Sequence, residues 1–383
     1  MPAGTRLKGD TLKLETYNLI KMNRINWIDE LKGFILILIC LGHTHVNIPF
    51  LGENLITICQ AFSLPTFFFL SGLLFSTHRY SNINSYLKRK IKSLLVPYIL
   101  LSLLFSFLDP RLYDLSLIER NDYLNTFFFS ADIHSNLEYL IMEFKSIFYY
   151  GLPVITGPLW FVLALFFVSI LFFYIHHFFQ GNAQYITIYA TFCLITGWIL
   201  NLYNLILPYC LSTVCTASFF FSLGYLTKKI IKYMTELSEI KLGSIILALS
   251  LIYLYAININ GVVSLVINEL GDKFFGYILS TISGIFLIVN IFTFLNRFVS
   301  KSILQGILKN IARNALIILA VHYWAIQCCR IFLYPISKEN YFPWLVTLIM
   351  IIVIILAIPL FRTKLYKLIG KEKITFKESL SIK

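Results

Sequence analysis

Lys32 and His43 stand eleven residues apart, in the run Trp27-Ile28-Asp29-Glu30-Leu31-Lys32-Gly33, then Phe34 to Gly42, then His43-Thr44-His45. On a helix advancing 100° and ~1.5 Å per residue, eleven residues return to within ~20° of the starting direction, roughly 16 Å further along. Lys32 and His43 therefore share one face. Asp29 falls within about 60° of both, while His45 points to the opposite side. An acid, a lysine and a histidine thus form a stripe. Histidine changes charge near neutral pH, so His43 suits proton transfer or nucleophilic attack. Lysine suits phosphate or developing negative charge, and Asp29 is placed to pair with it. Each residue also has an ordinary use: a core histidine bonded to a neighbouring helix, or a lysine stretching to water past apolar surface.

Other residues carry softer signals. The cluster Lys88-Arg89-Lys90-Ile91-Lys92, followed by Val96-Pro97-Tyr98, could hold the phosphates of a nucleotide-bearing donor. It could equally be orienting charge in contact with anionic lipid. Trp160, in Gly157-Pro158-Leu159-Trp160-Phe161, opens a span where an interfacial tryptophan is expected. His322 and Tyr323 lie in a later apolar run after Arg313-Asn314 and are candidates for binding substrate. His176 and His177 end a helix and are expected to be solvated. Pro65 would free a backbone carbonyl in its helix, and Ser71-Gly72 would permit close helix approach. The seven cysteines sit in apolar runs without metal-ligand spacing and read as small hydrophobes. No metal site is expected, and neither a phosphate-binding glycine loop nor a dinucleotide fingerprint is present.

The elements that must position these groups follow from composition. Of 383 residues, 58% are hydrophobic and only 13% charged, about half the charge of a soluble domain. That excludes a water-facing surface and makes hydrocarbon the main solvent. A helix needs about 20 apolar residues to cross a bilayer. By that measure spans fall near 33–51, 54–76, 93–109, 157–175, 185–203, 205–226, 242–259, 275–295, 314–330 and 343–361. The net charge of +13 tests the count. With both termini inside, 26 of the 32 Lys and Arg fall on the cytoplasmic side. The other six are Arg111, Arg120, Lys145, Lys273, Arg330 and Lys338. This asymmetry is the positive-inside rule, and it leaves nucleic acid without support as a partner. The expected fold is an all-α integral membrane protein, a bundle of about ten transmembrane helices with both termini cytoplasmic. Residues 1–25 form a tail that is possibly dispensable for the fold, 26–361 the membrane domain and 362–383 a basic cytoplasmic tail. The long external segment, 110–156, is rich in acids and aromatics (Asp122, Asp132, Phe127 to Phe129) and should hold a re-entrant or amphipathic helix.

In this order the residues resemble acyltransferase family 3, multi-pass membrane O-acyltransferases that commonly decorate bacterial surface polysaccharides. Asp29-Glu30-Leu31-Lys32-Gly33 with His43 is similar to the family's opening signature of a basic residue, ten residues and a histidine. Leu64-Pro65-Thr66-Phe67-Phe68-Phe69-Leu70-Ser71-Gly72 resembles its Phe-rich Ser-Gly segment, and Lys88-Arg89 to Val96-Pro97-Tyr98 its basic loop. Leu159-Trp160-Phe161, Phe221-Ser222-Leu223-Gly224-Tyr225 and Asn314-Ala315-Leu316 to His322 follow in order. Two departures stand out: Lys32 takes the place of an arginine in many members, and the basic loop lacks a clean Arg-x-x-Arg. The resemblance implies a bacterial inner-membrane O-acetyltransferase with cytoplasmic acetyl-CoA as donor. A surface or lipid-linked glycan hydroxyl would be the acceptor, and membrane lipids the surroundings. His43, Lys32 and Asp29 would form the catalytic stripe and Lys88, Arg89, Lys90 and Lys92 the donor site. Trp160, His322 and Tyr323 would meet substrate. The competing class is a transporter or flippase for a lipid-linked sugar or small anion, which ten helices and a helix broken at Pro65 would also suit. It predicts inverted repeats, and the sequence shows none.

Overall fold

The computed structural model describes residues 26–45, 55–77, 82–114, 116–119, 133–298 and 302–372. The expectations for residues 1–25, the end of the first span, Asp122, Phe127 to Phe129, Asp132 and 373–383 lie outside the described residues. The principal helices are α1 (Asn26–Thr44), α2 (Leu55–Leu73), α3 (Ile83–Phe107), α4 (Asn136–Lys145), α5 (Gly157–Phe178), α6 (Ala183–Leu202) and α7 (Pro208–Leu226). They continue with α8 (Lys228–Glu236), α9 (Glu239–Asn260), α10 (Phe274–Phe298), α11 (Ile303–Arg313), α12 (Ala315–Phe332) and α13 (Phe342–Thr363). The protein is an all-α integral membrane protein. Among the described residues, eight helices are long and apolar enough to cross a bilayer: α3, α5, α6, α7, α9, α10, α12 and α13. α1 and α2 also form where spans were expected. α1 falls short of that apolar standard because Asp29, Glu30 and Lys32 lie in its first two turns.

The central helices are α5, α7, α10 and α12, with α2 between α7 and α10. α9 stands at the rim and turns Leu247, Leu251, Leu254 and Tyr255 outward, as a lipid-facing helix must when no water is present to punish exposed apolar area. Small residues set the closest crossings. A Cβ on Gly72 would overlap the backbone oxygen of Phe221, and one on Gly224 that of Phe69. α2 and α7 thus meet backbone to backbone through a reciprocal pair of glycines, the close approach expected of small residues in membrane interfaces. Around Pro65, Ser63, Thr66 and Ser71 each donate to the carbonyl one turn back, which occupies hydroxyls that lipid could not satisfy.

The boundaries differ from the expected spans in two places. The first helix begins at Asn26, not residue 33, because Trp27, Ile28 and Leu31 bury against the bundle while the acids between them find partners. The third begins at Ile83, and passes through a π turn at Ile91–Leu95 before continuing to Phe107. α4 is the helix expected in the external segment, and its polarity is inverted. Leu137, Ile141, Phe144 and Phe148 are exposed along one side, while Tyr139, Met142 and Glu143 are buried on the other. Its apolar stripe therefore faces lipid and its carboxylate faces protein.

Gly72→Val should lower the thermal midpoint of the detergent-solubilised protein by several degrees, as should Gly224→Val. Gly243→Val, at a position with nothing within 4 Å, should leave it unchanged. Size-exclusion chromatography of heated samples measures all three.

Candidate active site

α1 is fixed at its base by α11. Glu30, 4% exposed, pairs with Lys309 at 3.1 Å and accepts from Gln305 at 3.5 Å. The two helices touch so closely that a Cβ on Gly33 would overlap the backbone oxygen of Leu308. Gln305 is itself half of a capping box with Ser302 that starts α11. Glu30, which sequence reading passed over, is thus the acid with the structural task. Lys32, two residues after Glu30, is half-buried.

The basic segment splits its charges. Lys88 and Arg89 are exposed, and Lys92 is exposed beyond them. Lys90 turns inward: its ammonium donates to Ser169 of α5 at 3.2 Å and lies 5.4 Å from the centre of the Tyr86 ring. The charges of Arg89 and Lys32 both bear on it. Lys92 lies in the π turn that follows, and two residues of helix already set it about 200° round from Lys90. The structure brings Lys90 of the expected donor set toward Lys32.

At the other end of the stripe, α1 stops. Thr44 is its last residue, and His45 takes a left-handed conformation with φ 55°. The terminal carbonyl of His43 accepts from the Arg330 guanidinium of α12 at 3.1 Å, a cation capping a helix C-terminus. The His43 ring, partly exposed, lies 5.5 Å from the ring of His322 and 5.2 Å, edge on, from that of Tyr323. His322 is midway along a spanning helix, so His43 stands at membrane depth. His322 is fully buried, and its Nδ1 lies 2.7 Å from the carbonyl of Ile318. Its Nε2 has no hydrogen-bond partner among the described residues.

Tyr323 is backed by Gly157, where an added Cβ would stand 3.2 Å from its ring. Three residues on, Trp160 is 4% exposed, its ring packed edge-on against Phe161. Of the three residues expected to meet substrate, His322 and Tyr323 therefore adjoin His43, while Trp160 lies in the packing beneath the loop that supports Tyr323. Thr156, beside Gly157, is buried with its hydroxyl unpartnered; no sequence signal marked it. His176 corrects another expectation. It is half-buried, bonded through Nε2 to the Tyr225 hydroxyl at 2.9 Å, within an aromatic cluster that includes Phe75, while His177 is exposed as expected.

Sequence reading also missed a buried polar cluster at the end of the bundle away from α11. Asp109 and Arg111, both essentially without solvent exposure, form a bidentate pair with a shortest contact of 2.7 Å. Tyr139 donates to the same Asp109 carboxylate, and the Glu143 carboxyl lies 3.3 Å from both the Ser106 and the Tyr139 hydroxyls. Here α4 is pinned to the end of α3. No periodicity connects residue 109 to residue 143, so only the folded chain reveals the cluster.

The acyltransferase domain that defines acyltransferase family 3 matches residues 25–362 of the chain, and the protein belongs to that family. No curated protein and no solved structure matches the chain.

Burial, reinforced by the Asp109 charge, pushes the Glu143 carboxyl from its ordinary 4.5 up to about 7. Between those values the folded protein holds a proton that the unfolded chain releases, so stability falls as pH rises from 4.5 to 7 and is level outside that window. The loss is on the order of 3 kcal/mol. Thermal midpoints measured across pH 4 to 8 should show this fall, and Glu143→Gln should flatten it.

Proposed function

We propose that the protein is an O-acetyltransferase of the bacterial inner membrane. It moves an acetyl group from cytoplasmic acetyl-CoA to a hydroxyl of a surface or lipid-linked glycan, with His43 as general base. One observation carries the reading. The stripe beginning at Lys32, beside the inward-turned Lys90, ends at His43 against two more polar rings in the centre of the bundle.

Acetyl-CoA carries several phosphate charges and cannot follow its own acyl group into hydrocarbon. The basic end of the bundle is where those charges can stay. Lys88 and Arg89 present exposed cations there, Lys92 adds another, and Lys90 and Lys32 continue the positive path inward. The long arm of the donor then delivers the thioester toward His43, which the helix geometry sets ~16 Å above Lys32. With 26 of 32 basic residues on the side of the termini, that end is cytoplasmic by the positive-inside rule. The donor is a co-substrate, and the chemistry requires no metal.

The acceptor hydroxyl approaches from the opposite side. His43 takes its proton as the oxygen attacks the thioester carbonyl; the C–O bond forms, the C–S bond breaks, and the thiolate recovers the proton. Lys32, with Asp29 as its pairing acid, steadies donor charge. Tyr323 and His322 wall the space in which the two substrates meet, and Trp160 packs beneath that wall. A covalent acyl-histidine is the variant in which His43 itself takes the acetyl group before passing it on. A general base of this kind accelerates transfer 10²–10⁴-fold.

His43→Ala should therefore abolish the acetyl-sized mass increment on the surface glycans of producing cells, while the amount of protein in the membrane stays the same. Mass spectrometry of those glycans reads the result, and a retained increment removes His43 from the chemistry.

A further inference from the structure

His322 carries a constraint that the reaction can use. A backbone carbonyl only accepts hydrogen bonds, so the 2.7 Å contact between His322 Nδ1 and Ile318 O puts the proton on Nδ1. In the neutral ring Nε2 then presents a lone pair. That atom is buried without a partner among the described residues, at a position where leaving an acceptor unmatched is costly. The nearest polar ring is His43, at 5.5 Å between centroids and a tilt of 41°. Ring nitrogens that face each other across such a separation come within about 3 Å, ordinary hydrogen-bond distance. A turn of the His43 ring makes that contact.

We propose that His322 is a positioning residue for His43: its Nε2 accepts the N–H of the His43 ring. This rests on His43 being the base. The bond fixes His43 in the tautomer whose other nitrogen is free to receive the acceptor's proton. It also stabilises the imidazolium that forms, which at membrane depth has little water to solvate it. The hydroxyl O–H breaks and its proton goes to His43. The oxygen then bonds to the acyl carbon, and the C–S electron pair leaves with sulfur. The thiolate takes the proton back, and His322 neither gains nor loses one. A neutral acceptor thus stands where a carboxylate orients histidine in Ser-His-Asp sites. Arg330 already holds the backbone of His43, so one helix sets both the position and the tautomer of the base.

The test is release of free thiol from acetyl-CoA by the full-length protein in lipid nanodiscs supplied with a lipid extract of its producing cells. His322→Leu, which keeps bulk and removes the acceptor, should lower kcat about 100-fold or more while KM for acetyl-CoA changes less than about threefold. His322→Gln, whose amide oxygen can accept, should recover at least about tenfold over the leucine variant. A leucine variant as active as wild type overturns the proposal, and so does a glutamine variant no better than leucine. His43→Ala, assayed alongside, separates the two claims. If it stays active, the general-base reading fails and takes this inference with it. If it is inactive while His322→Leu is not, only the inference about His322 fails.

Discussion

A helix that ends inside a membrane must find partners for its last carbonyls within the protein, because hydrocarbon offers none. α1 meets that constraint at Thr44, and the residue that meets it is Arg330 of α12, donating to the carbonyl of His43. The rest of the site depends on this one contact. It ties the end of α1 to the helix that carries His322 and Tyr323, so three polar rings gather where the chain breaks. It also spends a cation on backbone, leaving the imidazole of His43 as a reactive group on a fixed stem. A continuous helix would have placed His43 in ordinary helical packing with no such opening beside it.

The base of α1 is held with comparable care by different means. Glu30 pairs with Lys309, and Gly33 lets α11 approach to backbone contact. With both ends pinned, the distance from Lys32 to His43 is set by α-helix rise alone. On the proposed function, a rigid separation between a charge that stays near water and a base at depth is what a donor with a polyanionic head and a long arm requires. Flexibility in α1 would blur that match, and misplacing reacting groups by even an ångström is expensive in rate.

Much of this was legible in the chain and some was not, for physical reasons. Hydrophobic runs report spans directly, because a bilayer imposes length and composition together, and among the described residues helices lie within all ten expected spans, eight of them long and apolar enough to cross. The Lys32 to His43 stripe was legible because helical phase is arithmetic. The end of α1 was not: Thr44 and His45 are followed by residues with no helix-breaking signature before Pro49, and the stop depends on an arginine 287 residues away. Nor could the sequence separate Lys90 from Lys88, Arg89 and Lys92, since four clustered cations look alike until packing shows which one faces Ser169 of α5. The Asp109, Arg111, Tyr139 and Glu143 cluster joins loop to helix end across unrelated positions. His176 looked solvated because it ends a helix, and only packing brought Tyr225 to it.

The two polar centres of the bundle meet the cost of burial in opposite ways. At Asp109 and Arg111 the charges are matched within one bidentate contact, a tyrosine completes the carboxylate, and burial pushes the extra acid at Glu143 up to about 7. Such a cluster rigidifies but leaves no atom idle at its centre, which suits the docking of α4. Around His43 the bookkeeping is left open: His322 Nε2 and the Thr156 hydroxyl are buried without partners, next to rings that are satisfied only at their edges. Buried polar atoms left unmatched lower stability, and the same fold shows that it can match them elsewhere. Unmatched polar atoms also occur at Ser102, Tyr189, Tyr277 and Asn290; what sets His322 Nε2 apart is that a second imidazole, that of His43, stands 5.5 Å away, centre to centre.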